Sequence, residues 1–168
     1  MTISRPSSQV LDFYKYNEIF NTGDDKAAME FWVNDLVVTQ GTGTDVFPLA
    51  TNKAEFIKFL AAAHDGVREI MRVQTLVQNE NNIFAEMDMD FVALKDKPDF
   101  VFGPLKAGEF LTVKMFLLYT LRGDKFASMK LATWPPNKGV TEPPSHNWGP
   151  NPPDFGATRA KLPYQPNG

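Results

Sequence analysis

The run AEMDMDFVAL, residues 85–94, alternates apolar and acidic side chains through Glu86, Met87, Asp88, Met89 and Asp90. A period of two is the mark of a half-buried β-strand. One face of that strand carries three carboxylates; the other carries Met87, Met89 and Phe91. Carboxylates turned inward would offer bases for chemistry. Methionines turned inward would line a greasy pocket and leave the acids as a solvated rim.

The same period recurs on either side. VREIMRVQTLVQ precedes it, and EFLTVKMFLLYTL and KFASMKLATW follow it, so four long strands are predicted. NENN and RGDK are the hairpin turns within the first and last pairs. KDKPDFVFGPLKAG, between the second and third long strands, is too long and proline-rich for a tight turn and reads as a flap. Upstream the period is helical. Residues 8–20 predict one helix, stopped by Gly23, and residues 25–33 predict a second, capped by Asp24 or Asp25. KAEFIKFLAAAHD predicts a third, capped by Asn52, with Phe56, Phe59, Leu60 and Ala63 at helical spacing. DLVVTQ is a short strand and GTGTDVFPL a loop. Three helices segregated from an antiparallel sheet define an α+β domain over residues 1–134. Residues 135–168 hold nine prolines and few aliphatics, and read as an extended arm.

Composition excludes several functions. The chain has 168 residues and a net charge of −3, with no clustering of basic residues, which argues against a nucleic-acid partner. It has no cysteine and only His64 and His146, so neither a thiolate nor a multi-histidine metal site is expected, and no metal is predicted. No apolar run is long enough for a bilayer, and no signal peptide is legible at the N-terminus. These features predict a cytoplasmic protein without a membrane partner.

YNEIFNTGDDKAAMEFWVNDLVV resembles the opening helix pair and first strand of the nuclear-transport-factor-2-like superfamily, and LRGDKFASMKLATW resembles its closing hairpin. The element order is most similar to the SnoaL and ketosteroid-isomerase branch. The resemblance implies a cone-shaped α+β barrel, its three helices packed on a strongly bent antiparallel sheet, open at one end to a small hydrophobic ligand. It places Tyr16 at the isomerase's oxyanion-hole tyrosine. Gln40 stands where that enzyme keeps its base aspartate, and Leu117 near its protonated acid, so steroid isomerisation by that route is not implied. The arginine and aspartate of limonene epoxide hydrolase fall on Met87 and Met89.

The resemblance also answers the opening question: Met87, Met89 and Phe91 face the cavity, with Met115, Leu117 and Tyr119 on the third long strand and Met129, Leu131 and Thr133 on the fourth. Glu86, Asp88 and Asp90 then share the outer face with Lys114 and Lys130 as cross-strand charge pairs. Together with Trp32 and Gln40, the inward residues form the expected binding surface. Four residues are candidates for chemistry. Tyr16 would donate to an oxyanion. His64, ending the third helix, would move a proton near neutral pH. Asp45 sits in the loop near the expected mouth, and Lys114 would become a base if it were turned inward and desolvated. The resemblance thus points to a cofactor-independent lyase, isomerase or cyclase acting on a hydrophobic, aromatic molecule, or to a non-catalytic binder of the same fold. Trp148 and Phe155 in the arm suggest docking on a neighbouring subunit or on its own sheet, and a homo-oligomer, dimer or trimer.

Overall fold

The computed structural model describes residues 11–41 and 47–133. Each helix starts at a short polar side chain that satisfies an otherwise orphaned backbone N–H. Asp12 accepts from Lys15 N at 3.1 Å to open α1, Phe13–Thr22. Asp24 accepts from Ala27 N at 2.9 Å to open α2, Asp25–Met29. Asn52 accepts from Glu55 N at 2.9 Å to open α3, Lys53–Ala63, and Glu55 reaches back to Thr51 N at 2.8 Å. Gly23 closes α1 with φ of 77°, a left-handed conformation costly for other residues. A Cβ there would also overlap the guanidinium of Arg68.

The second helix is shorter than the predicted 25–33. Trp32 opens β1, Trp32–Gln40, because WVNDLVV is rich in the branched and aromatic residues that suit a pleated surface. Part of the predicted loop also pairs with β1, as β2, Phe47–Ala50. The four long strands form as expected: β3 (Val67–Gln78), β4 (Asn82–Ala93), β5 (Phe110–Arg122) and β6 (Lys125–Thr133). One sheet results, in the order β2-β1-β6-β5-β4-β3. Its pairs are antiparallel except β1 with β6, which is parallel and joins the β1–β2 pair to the β3–β6 meander. Irregularities at Val73/Thr75 and Thr120/Leu121 break the ladder and let the sheet curl strongly around the helices. The open edge of β3 is partly covered: the Asn21 side chain donates to Met71 O at 2.9 Å and accepts from Met71 N at 2.8 Å.

Register settles the two faces of β4. Met87 pairs with Met115 and Met89 with Val113, all buried on the concave side. Glu86 and Asp88 lie on the convex side, partly exposed. Asp90 corrects the picture of a uniformly solvated rim. It shares the convex face but is 0% exposed, beside a small cluster of Ile70, Val92 and Phe110. Arg72 reaches it from β3 with two hydrogen bonds of 2.8 and 3.0 Å, and the Thr112 hydroxyl donates to it from β5 at 2.6 Å. The proposed arm, residues 135–168, and the loop residue Asp45 lie outside the described residues.

Candidate functional site

The concave face and the helices enclose a cavity of about 470 Å³, in the range that suits a small organic ligand. Tyr16, Phe20, Phe56, Phe59 and Leu60 approach it from α1 and α3. The strand wall is Met71, Met89, Phe91, Met115, Leu117, Tyr119, Met129 and Leu131. Gln40 and Thr133 add polar groups at the strand ends. The flap closes another side. Lys97 and Leu105 exchange backbone hydrogen bonds of 2.7 and 3.0 Å at its base, and Phe100 and Phe102 form a triangle of tilted rings with Phe91 at centroid distances of 5.2–5.8 Å.

Most of the predicted binding surface therefore meets at one cavity, with two exceptions. Met87 and Trp32 are fully buried in the core and are not on the wall. Trp32 is committed to rings: Phe56, Phe126 and Tyr119 surround it at 4.9–6.0 Å. Lys114 does not meet the cavity either. It faces outward and pairs with Glu86 at 2.9 Å and Asp88 at 3.1 Å, and the bond to Glu86 holds its amine more strongly protonated than usual. A charged ammonium on a convex face has no role as a cavity base.

Tyr16 lies on the wall, packed against Phe126 at 4.8 Å and Phe31 at 5.5 Å. Burial raises the pKa of its hydroxyl far above the usual phenol value. The Trp32 side chain works the other way, and the charges of Glu69 and Asp25 add to the rise. The group therefore stays protonated and keeps an O–H to donate to a developing negative charge.

His64 caps α3 but is not on the wall. Its Nδ1 lies 2.9 Å from Asp25 Oδ2, and its Nε2 lies 3.7 Å from Glu69 Oε2. Burial disfavours the imidazolium, yet these two carboxylates outweigh it and raise the pKa from 6.5 to about 9. Glu69 itself lines the cavity and was not among the predicted residues. Its signal was present in VREIMRV: the period of two that turns Val67, Met71 and Val73 inward turns Glu69 inward with them. Asp25 stands in the sequence only as a possible helix cap. Among the described residues, no group of three or more His, Asp or Glu is placed to hold a metal ion, and no helix is long and apolar enough to cross a membrane.

No family model matches the sequence, and no curated protein matches it. Solved structures match the fold at low identity. A candidate polyketide cyclase from Xanthomonas campestris pv. campestris is 19% identical, covering 71% of this chain and 85% of its own, with a TM-score of 0.57. IdmH, a candidate polyketide cyclase from Streptomyces antibioticus, is 13% identical over 72% and 88%, with a TM-score of 0.57. An NTF2-like protein of unknown function from Burkholderia pseudomallei is 12% identical over 71% and 85%, with a TM-score of 0.52. The chain has the NTF2-like cone fold: helices on a strongly curved sheet around a ligand-sized cavity. Such a fold hosts both enzymes and binders, so function is argued from the site.

Proposed function

We propose that this protein is a cofactor-independent enzyme that moves a proton on a hydrophobic, aromatic small molecule held in the cone, as a lyase, isomerase or cyclase. One observation carries the reading. In a cavity walled by rings, methionines and aliphatic chains, a hydroxyl kept protonated by burial, Tyr16, shares the wall with a carboxylate, Glu69. Rings and thioethers favour an aromatic ligand through edge and sulfur contacts. A donor and a base on one apolar wall are the minimum for proton transfer. The neighbours described as candidate polyketide cyclases support a small-molecule reading.

The test is turnover against a panel of aromatic ketones and phenols, with crystals of the protein soaked in those that bind. With a substrate in hand, Tyr16→Phe is expected to lower kcat at least tenfold, about 1.4 kcal/mol in transition-state stabilisation, with KM little changed. A wild-type rate in that variant would remove Tyr16 from the mechanism. Tight binding with no turnover of any panel member would favour a carrier.

Association between copies belongs to the same proposal. Phe84, Leu118 and Val77 are exposed on the convex side of the sheet, a pattern that suits an interface. Light scattering of the full chain is expected to give a dimer or trimer, and a monomer would exclude it.

A further inference from the structure

The cavity wall has a second layer at one point. Glu69 is turned inward on β3, opposite Phe91 of β4, and is one of the acids that line the cavity. The other, Asp99, is 81% exposed at the flap, 3.9 Å from the Lys97 ammonium. Directly behind Glu69 is His64, at the end of α3, and behind His64 is Asp25, in the first turn of α2. Three elements thus place carboxylate, imidazole and carboxylate in a row, from the cavity outward. The row is partly buried, with side-chain exposures of 14% at Glu69, 18% at His64 and 31% at Asp25. The Phe20 ring stands edge-on to the imidazole at 5.9 Å, and the charge of the Arg68 guanidinium also acts on Asp25.

The two contacts of His64 differ. Nδ1 is within hydrogen-bond distance of Asp25, whereas Nε2 is buried with no hydrogen-bond partner and points toward Glu69 across 3.7 Å. Asp25 holds the ring, and the long contact leaves the Glu69 carboxylate free to turn to a ligand without losing the charge behind it.

We propose that Glu69 is the catalytic acid–base group of the cavity and that His64 and Asp25 are its positioning residues. This inference rests on the proton-transfer reading above and names the group that performs it. The step is balanced within the site. Glu69 takes a proton from an acidic C–H or O–H of the ligand; the bond's electron pair stays on the ligand as an enolate or phenolate, facing the Tyr16 hydroxyl. The resulting carboxylic acid then returns the proton to another ligand atom or to a leaving group, and the carboxylate is restored. The imidazole orients the Glu69 carboxylate between turnovers, and Asp25 fixes the ring.

Two measurements on the full-length protein test this. The first needs no ligand: NMR titration of the imidazole rings, of which the chain has only two, His64 and His146. Glu69→Gln and Asp25→Asn are each expected to lower the His64 pKa by at least one unit. An unmoved value in Glu69→Gln would overturn the coupling. The second uses 2-tetralone, an aromatic ketone with an acidic C–H beside its carbonyl, in deuterated water. Wild-type protein is expected to catalyse exchange of that hydrogen. Glu69→Gln is expected to bind the probe equally but lose about a hundredfold in exchange rate. His64→Gln is expected to lose less and to shift the pH profile of exchange, a change that a packing role alone would not produce. Exchange by Glu69→Gln within threefold of wild type would overturn the assignment and leave the proton-transfer reading standing. Bound probe with no exchange in the wild type would overturn that reading and the assignment with it.

Discussion

Replacing Arg72 with alanine is expected to destabilise the protein by about 3–5 kcal/mol, because it takes the opposite charge and two hydrogen bonds from a buried carboxylate. Asp90 is 0% exposed, and Arg72 supplies two of its charge-assisted hydrogen bonds, at 2.8 and 3.0 Å. Thr112 supplies a third, at 2.6 Å. Without the guanidinium, the carboxylate keeps the Thr112 hydroxyl but loses its opposite charge beside the apolar Ile70, Val92 and Phe110. The intact pair is a different matter: its attraction is set against the cost of drying both ions. Asp90→Leu combined with Arg72→Met is therefore expected to recover most of the loss. Urea unfolding of the two single variants and the double variant distinguishes these cases. Single variants within about 0.5 kcal/mol of wild type would show that the pair carries no such role.

Raising the pH through the window between 6.5 and about 9 is expected to remove stability on the order of 3 kcal/mol, by deprotonating His64. The folded pKa lies above the unfolded one. The contribution is therefore fully present below 6.5 and is lost as pH rises through about 9. Its source is local: the imidazolium faces Asp25 from α2 and Glu69 from β3, with only 18% of its side chain exposed. Urea midpoints on either side of the window measure the loss, and His64→Gln is expected to flatten the curve. An equally steep loss in that variant would assign it to other groups.

Much of the fold was legible in the chain because its signals are local. That Met87 and Met89 share a face follows from a two-residue period, which every strand must obey, and the family resemblance turns that face inward, where the structure has it, together with Met115 and Met129. The caps at Asp24 and Asn52 are short polar residues next to the helices they start. Errors arose where a local signal had two readings. Phe31 and Trp32 continue a helical stripe and also open a strand, and pairing with β6 decided for the strand at Trp32. Met87 has the parity of a cavity residue, yet the core closes over it before the cavity begins.

The site was less legible, for a physical reason. Parity says which face a side chain takes, not what stands across from it. Glu69 shared the period of Met71, but a lone carboxylate in a strand gains meaning only when His64 and Asp25 are brought to it, the latter across 39 residues from His64. The expected place of Lys114 is the outer face with Glu86, Asp88 and Asp90, and the structure specifies its partners there as Glu86 at 2.9 Å and Asp88 at 3.1 Å. Asp90 looked like its neighbours Glu86 and Asp88 until burial separated it from them. The sequence alone determined the four long strands, which of their residues share a face, and the helix starts, because backbone period and side-chain hydrophobicity are properties of adjacent residues. Only the tertiary structure decided which charges are buried and which are paired, because desolvation and Coulomb attraction depend on distances between residues far apart in the chain.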